Sequence, residues 1–311
     1  MVLLLVLAGG CNGCRPAFPN PSETDDTEED SAEDTSPPDT SETDTDTDTG
    51  PPPRCDFEEL EPNNSPDTSQ ALPMEQWACG DFSAYLDLDW FTITPSQTGW
   101  ITVRVEAGIR GSSANPQILV DGGGESAQVL DGYLTTDPLL VFPAPAIEPY
   151  RITLAETNLL SGDEYTWFML TTLSKEPVDW DAEEVEPNDQ RAAAQVFTPG
   201  QTLFGSVGRE GDFDWYKITT PYEGEQTLTF DVTAFTEGSA ANLMLVLYDA
   251  TEGTAALKTS YSGEIDYDRD PYFEKKFTGV QDLYLLARTE DDKGSRFHWY
   301  TLAITATPID E

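Results

Sequence analysis

Histidine, basic residues and long apolar runs are scarce in this sequence of 311 residues. It has one histidine, His298, and only 16 lysines and arginines against 58 aspartates and glutamates, for a net charge of −42. One histidine excludes a histidine-rich zinc site, and the acidic balance argues against a nucleic-acid partner, which needs clustered basic side chains. Neither a Gly-x-Ser-x-Gly nucleophile motif nor a glycine-rich phosphate loop occurs. The sequence therefore predicts a protein that is not an enzyme; a carboxylate pair acting as a glycosidase dyad is the weaker alternative.

The apolar run at the N-terminus is short. Residues 2–7 are apolar and are followed by Ala8-Gly9-Gly10-Cys11. A membrane-spanning helix needs roughly 20 residues, so this run is typical of a signal-peptide core. Small residues before Cys11 resemble a bacterial lipoprotein signal, which implies a lipidated Cys11, a membrane anchor within residues 1–17, and a location at the cell envelope. The alternatives are an ordinary cleaved signal, or lipidation of Cys14 in place of Cys11. The run departs from such signals in having no Lys or Arg before it, which leads us to expect a start codon upstream, and in having Ala8 where Leu is preferred.

Residues 18–54 form a low-complexity segment. Between Glu23 and Asp48 it carries thirteen acids and no base, among Ser, Thr and Pro. Such a composition offers almost no apolar surface to offset the entropy of ordering. We expect a disordered acidic linker that extends by self-repulsion and acts as a tether.

Two stretches of the remaining chain repeat one another. The first begins Glu59-Leu60-Glu61-Pro62-Asn63-Asn64 and ends Asp87-Leu88-Asp89-Trp90-Phe91; the second begins Glu184-Val185-Glu186-Pro187-Asn188-Asp189 and ends Asp212-Phe213-Asp214-Trp215-Tyr216. Matching residues lie 125 positions apart throughout. The repeat predicts two copies of one domain, at residues 55–174 and 179–308.

Each copy alternates apolar and polar residues in short runs that are separated by turn residues. This pattern predicts an all-β fold with two tandem antiparallel β-sandwiches. Short helical turns are expected at residues 66–72 and 190–196, and a longer insert in the second copy at residues 259–276. The predicted strands are residues 89–94, 100–105, 117–120, 150–154 and 165–170 in the first copy, and 214–219, 227–232, 243–248, 283–287 and 298–304 in the second.

Cys55 and Cys79 flank the first motif, and Trp180 and Phe204 occupy the matching positions in the second copy. A cysteine pair in one copy and an apolar pair in the other predict spatial neighbours. A disulfide there would stabilise the fold by about 3 kcal/mol through chain entropy and requires an oxidising compartment. Two free buried thiols are the alternative.

The duplicated motif resembles the bacterial pre-peptidase C-terminal domain, over nearly all of the chain after the linker. The resemblance implies a jelly-roll-like sandwich, similar to the collagen-binding domains of clostridial collagenases, in which the equivalent acids bind calcium. It assigns Ca²⁺ ligands, up to one ion per domain, to Glu59, Glu61, Asn63, Asn64, Asp81, Asp87 and Asp89, and to Glu184, Glu186, Asn188, Asp189, Ser206, Asp212 and Asp214. The first copy departs from the pattern at Leu86, which replaces a glycine, at Asp81, which stands where the second copy has Ser206, and, as a minor change, at Phe91 in place of Tyr216.

The residue types of the motif also fit calcium, which takes six to eight oxygen ligands from carboxylates, amides and carbonyls. The alternative is ordinary turn and helix-capping chemistry, because Pro-Asn-Asn and Pro-Asn-Asp are common in turns. A carboxylate cluster without a cation repels itself.

Two functions fit these observations. The first is a surface-anchored extracellular binding or adhesion module, with aromatics such as Trp100, Tyr261, Tyr267 and Tyr272 contacting a polymer, glycan or protein ligand. The second is a structural or secretion-accessory role in the cell envelope without a specific polymer ligand. The ligand itself is not encoded in any motif.

Overall fold

The computed structural model describes residues 55–84, 86–130, 132, 135–157, 166–177, 179–251, 255–261 and 270–309. The predictions on Cys11, Cys14, the linker at residues 18–54 and Tyr267 lie outside these residues. Among the described residues, no helix combines the length and the apolar character that crossing a membrane requires.

The described chain is all-β, with twenty strands and four short 3-10 helices. The 3-10 helices are Pro66–Thr68, Gly108–Arg110, Arg191–Ala193 and Phe235–Glu237. In the first half the strands are β1 Phe57–Glu58, β2 Gln70–Ala71, β3 Trp77–Asp81, β4 Leu88–Ile93, β5 Gly99–Glu106, β6 Pro116–Gly122, β7 Glu125–Val129, β8 Leu139–Ala144, β9 Tyr150–Glu156 and β10 Trp167–Lys175. In the second half they are β11 Ala182–Glu183, β12 Gln195–Phe197, β13 Thr202–Ser206, β14 Asp214–Thr219, β15 Glu225–Thr233, β16 Leu243–Asp249, β17 Lys258–Tyr261, β18 Tyr272–Thr278, β19 Asp282–Thr289 and β20 Trp299–Pro308.

The strands form two β-sandwiches with the same topology, which confirms the predicted fold class. The first sandwich has sheets of order β1-β3-β10-β5-β8 and β2-β4-β9-β6-β7, and the second repeats that order as β11-β13-β20-β15-β18 and β12-β14-β19-β16-β17. One pair in each sheet is parallel: β1 with β3, β2 with β4, β11 with β13 and β12 with β14. The sequence did not predict these edge strands, because two or three residues are too few to show alternation.

Each sandwich has its own apolar core between its sheets. Strand β19 shows why these segments are strands, since its residues alternate between buried and half-buried along its whole length. Period-two alternation places one face of the strand on the core and the other towards solvent. Phe91, Phe142 and Phe168 are fully buried in the first core, and Phe230 and Leu285 in the second.

The second copy does have extra length, but its predicted position at residues 259–276 is wrong. Those residues contain β17 and most of β18, the counterparts of β7 and β8. The extra length of the second copy lies instead between β16 and β17, where residues 250–257 replace the two-residue connection at 123–124. Tyrosine and acid content concealed the strands, because β18 carries exposed charged residues between buried aromatics.

The two sandwiches lie within one compact unit, Pro51–Glu311, and contact one another directly. The indole Nε1 of Trp299 donates a hydrogen bond of 2.7 Å to the carbonyl oxygen of Val141, and the Val141 amide donates one of 2.6 Å to the Gly238 carbonyl. Trp100 packs edge-on against Trp299, with ring centroids 5.0 Å apart. Trp100, one of the aromatics predicted to contact a ligand, is half-buried, and its ring is part of the contact between the sandwiches.

Candidate metal centres

The duplicated acidic motif forms a corner at the entry to each sandwich. In the first corner the Glu59 amide donates to the Cys79 carbonyl at 2.7 Å, and the Trp90 amide donates to the Asn63 carbonyl at 3.2 Å. These bonds tie the entry segment to β3 and β4. The second corner repeats them between Glu184 and Phe204 at 2.8 Å and between Trp215 and Asn188 at 3.2 Å. The entry segment therefore meets the beginning of β4 or β14, where the second group of acids lies.

In the first corner, carboxylate oxygens of Glu59, Glu61 and Asp89 lie within 4.8 Å of one another. Asn63, which is fully buried, donates through its side chain to Glu59 and through its backbone amide to Glu61 at 2.9 Å. The Asp81 amide donates to Glu59 at 3.3 Å. The three carboxylates are thereby oriented towards a common point rather than spread apart.

The oxygens at the centre of this corner have no hydrogen-bond donor among the described residues. They are both carboxylate oxygens of the fully buried Asp89 and the side-chain oxygen of Asn63. Burial raises the pKa of Asp89 to about 11, and the neighbouring charge of Glu59 adds to the effect. Burial also raises the pKa of Glu59 to about 7. The buried Asp89 and the half-buried Glu59 lie so close that each disfavours the ionisation of the other, so the pair favours a shared proton or a cation.

In the second corner the equivalent carboxylates of Glu184, Glu186 and Asp214 also lie within 4.8 Å of one another. Two tyrosine hydroxyls donate to them: Tyr216 to Glu184 at 2.8 Å and Tyr300 to Asp214 at 2.7 Å. One oxygen of Asp214 and the side-chain oxygen of Asn188 still lack a donor among the described residues. Burial raises the pKa of Asp214 well above its ordinary value and raises that of Glu184 as well.

The first corner lacks both hydroxyls. Phe91 stands at the position of Tyr216, and Phe168 pairs with Gly80 as Tyr300 pairs with Gly205. The first corner therefore offers its carboxylates fewer hydrogen-bond donors, and they depend more on an added proton or cation. Sequence reasoning treated Phe91 as a minor change and missed Tyr300, which falls outside the 125-residue spacing.

A third group of acids lies beside the second corner, but an arginine side chain already supplies positive charge there. Glu186, Asp189 and Asp212 bring carboxylate oxygens within 4.8 Å. The Arg209 guanidinium binds both oxygens of Asp189, at 2.9 and 2.7 Å, and lies 3.4 Å from Asp212. Burial raises the pKa of Asp212 to about 6. The first sandwich has neither the arginine nor this full set of acids, since Ala84 and Asn64 stand in the matching places.

The other predicted ligands lie at the edge of the corners. Asp87 accepts hydrogen bonds from the Ser83 amide at 2.7 Å and the Ser83 hydroxyl at 3.0 Å, and Asn64 accepts one from the Leu88 amide at 3.3 Å. The Asp81 side chain is exposed and does not belong to the grouped acids. Ser206 contributes a backbone amide, which donates to Glu184 at 2.9 Å.

The substitution of Leu86 for glycine does not distort the turn. Leu86 has a φ of 62°, close to the 72° of Gly211 at the matching position. This left-handed conformation favours glycine, and a leucine adopts it at a cost. The first corner accordingly keeps the backbone path of the second.

The pairs flanking the motifs are neighbours in both sandwiches. A disulfide joins Cys55 to Cys79, whose Cα atoms lie 5.7 Å apart. The rings of Trp180 and Phe204 stack with centroids 4.7 Å apart at the matching place. The entry segment is thus linked to β3 by a covalent bond in the first sandwich, and it packs on β13 through aromatic rings in the second.

No protein-family model matches the sequence, and a search of curated proteins finds no match. Solved structures do match. The pre-peptidase C-terminal domain of a collagenase from Bacillus anthracis is 12% identical, over 39% of this chain and 100% of its own, with a TM-score of 0.30. The tandem CBM51 modules of a family 98 glycoside hydrolase from Streptococcus pneumoniae are 9% identical over 76% of this chain and 85% of theirs, with a TM-score of 0.25. A CBM22 tandem domain from Paenibacillus barcinonensis is 11% identical over 73% and 85%, with a TM-score of 0.23. The structural neighbours of this chain thus include a pre-peptidase C-terminal domain, at low sequence identity.

Proposed function

We propose that this protein is a non-catalytic extracellular binding module in which a calcium ion stabilises each sandwich at its acidic corner. The observation that carries the proposal is the pair of acid groups, each with one buried, one half-buried and one exposed carboxylate, which occur at matching places and keep unpartnered buried oxygens. Buried polar atoms in folded proteins nearly always have partners. Buried oxygens that keep no donor at matching places in both copies support a bound cation.

The donor set fits calcium better than other common metals. Each corner offers three carboxylates and an amide oxygen, and calcium prefers such hard oxygen ligands in flexible numbers. Zinc sites use histidine and cysteine, and neither residue is among the grouped side chains. Glu59, Glu61, Asn63 and Asp89 would hold the ion in the first sandwich, and Glu184, Glu186, Asn188 and Asp214 in the second. The bound ion would supply the positive charge that the buried carboxylates lack.

The surroundings of the titratable groups support a non-catalytic role. His298 is only 5% exposed, and its Nδ1 lies 2.9 Å from the Ser295 hydroxyl within the same turn. The grouped acids lie in corners that recur at matching places in both sandwiches. Their raised pKa values have a sufficient cause in burial and mutual repulsion.

Attachment to a membrane is part of the proposal and depends on the N-terminal sequence alone. The signal-like run ending at Cys11 would give a lipidated N-terminus, and the acidic linker would hold the sandwiches away from the surface. A Cys11→Ser variant should move from the membrane fraction to the medium or the soluble envelope fraction. Unchanged membrane association would contradict this part of the proposal.

Calcium binding is tested by thermal unfolding of the purified chain in millimolar calcium, in EDTA, and in magnesium as a control cation. We expect calcium to raise the midpoint of unfolding relative to EDTA and magnesium to have little effect, because it holds its water and demands tight octahedral geometry. Superimposable melting curves in calcium and EDTA would remove both metal centres.

A further inference from the structure

A cleft of about 610 Å³ lies between the two sandwiches. One wall is formed by β7 and Leu130, which follows it; the other is formed by the second sandwich, through residues 291–294 and His298. Ligand sites commonly form where two domains meet. Neither sandwich provides this cleft alone.

The β7 wall presents a strand edge. Among the described strands, β7 pairs only with β6, and it is the last strand of its sheet. A two-residue turn joins the two strands, with Gly122 opposite Glu125. In such a hairpin the flanking pair is hydrogen-bonded, and bonded and non-bonded pairs then alternate. Ser126 and Gln128 therefore direct their backbone amides and carbonyls away from β6, and both line the cleft.

An arginine of the second sandwich holds this edge in place. The Arg296 guanidinium donates to Glu125, the first residue of β7, at 2.7 Å and to Glu148 at 3.2 Å. The Arg296 amide donates to Glu125 at 3.1 Å as well. The edge is thus fixed before a ligand arrives, which lowers the entropy cost of binding.

The opposite wall is acidic. It includes Glu210, Asp291 and Asp292, with Lys293 as the only lysine or arginine in the described lining. The Lys293 Nζ lies 2.9 Å from Asp291. The chain as a whole has a net charge of −42. A negatively charged cleft favours positively charged ligands and repels negative ones. This disfavours the chain's own acidic segment at residues 18–54, and a second copy of the chain, as occupants.

We propose that an extended, lysine- or arginine-rich segment of a partner protein binds in this cleft by adding a strand to the free edge of β7. Strand addition takes its affinity from main-chain hydrogen bonds and its specificity from alternate side chains. Basic side chains of the added strand would meet the acidic wall. The inference rests on the proposed binding function but not on the calcium corners.

The second sandwich supplies a matched control for the edge. Gln128 in β7 pairs with Leu119, and Thr259 in β17 pairs with Val246 at the corresponding place. Like β7, β17 is the last strand of its sheet among the described strands. Thr259 is not in the lining of the cleft between the sandwiches. A change at Thr259 therefore tests an edge strand without the acidic wall.

The experiment measures fluorescence anisotropy of a labelled seven-residue peptide of alternating lysine and valine, titrated with the full chain in calcium. We expect saturable binding that weakens with salt, and none with the same peptide carrying glutamate in place of lysine. Gln128→Pro removes an outward amide and should weaken binding about tenfold, whereas Thr259→Pro should not change it. N-methylation of the peptide on either the lysine or the valine amides should abolish binding in one of the two series only, because alternate amides face β7.

Charge variants test the opposite wall. Asp292→Lys should weaken binding of the lysine peptide several-fold at low salt, and Glu225→Lys, an exposed charge change outside the cleft, should not. The proposal is overturned if the lysine peptide does not bind, or if both N-methylated series bind like the parent peptide. Equal binding to Gln128→Pro and the wild type would place the peptide elsewhere, which overturns this site and leaves the proposed binding function standing. Self-association of the chain that Gln128→Pro abolishes would make a second copy the occupant and overturn the basic partner.

Discussion

Replacing Asp89 with asparagine should stabilise the calcium-free protein and remove most of the stabilisation that calcium adds at the first corner. In the absence of a cation, the buried carboxyl group of Asp89 keeps a proton because its pKa is raised to about 11. Asparagine has nearly the same shape and needs no proton. With calcium present, the same substitution removes a charged ligand. The gain in stability over wild type should therefore be smaller in calcium than in EDTA.

The magnitude follows from the pKa difference. The ordinary pKa of an aspartate is 3.8, so at pH 7.5 the unfolded chain releases a proton that the folded chain retains. At about 1.4 kcal/mol per pKa unit, retaining it costs up to about 5 kcal/mol, which the asparagine variant recovers in EDTA. In calcium at a hundred times its dissociation constant, the wild type gains about 2.7 kcal/mol from the first corner. The variant forfeits most of that gain.

The assay is urea unfolding at pH 7.5, in EDTA and in calcium, with Asp67→Asn as control because Asp67 is exposed and outside the grouped acids. We expect a higher midpoint than wild type in EDTA and a smaller response to calcium for Asp89→Asn, and no change for the control. A variant that is less stable than wild type by the same amount in both conditions would refute the reasoning.

Three further predictions test the same structure. Without calcium, stability should fall as pH rises from 5 to 7.5: the pKa values of Asp89 and Glu59 are raised, to about 11 and about 7, so the folded state holds protons that the unfolded state releases. The slope should be about 1.4 kcal/mol per pH unit for each retained proton, and thermal melts in excess calcium should show a much flatter profile. Trp299→Ala should lower the free energy of unfolding by about 3–5 kcal/mol. It should also split one calorimetric transition into two, because this fully buried ring joins the sandwiches. The control is Trp215→Ala, whose ring packs on Tyr248 of its own sandwich; it should lower stability without splitting the transition. The double variant Cys55→Ser and Cys79→Ser should lose about 3 kcal/mol in urea unfolding, since the bond closes a loop across 24 positions, and an equally stable variant would show that the bond adds nothing.

The sandwiches themselves could be predicted from the sequence because their signals are local and repeated. The spacing between Trp90 and Trp215 revealed the duplication, and alternating runs such as residues 100–105 became the centre of a strand. Strands of two or three residues, such as β1 and β2, carry too little pattern to recognise. The strand β18 was mistaken for part of an insert because its exposed face is unusually charged.

The positions of the acidic corners could be predicted from the sequence, but the difference in hydrogen-bond donors between them could not. The repeat placed Glu59, Glu61 and Asp89 in one motif, and the structure brings their carboxylates together. The hydroxyl of Tyr300 comes from β20, far along the chain and outside the repeat spacing, so no local signal connects it with Asp214. The contact between the sandwiches was equally invisible, because a tryptophan such as Trp100 has the same pattern whether it faces a ligand or another sandwich.

The number of calcium ions that the chain binds is the most direct test of the two acidic corners. Calorimetric titration of the calcium-free chain with calcium should give two ions per chain for the wild type and one for either Asp89→Asn or Asp214→Asn. Only the second corner has tyrosine hydroxyls, so the two corners should bind calcium as two separate events. Asp89→Asn should delete one of these events and leave the other unchanged. A wild-type titration with no heat of binding, and no change in stability, would contradict the account.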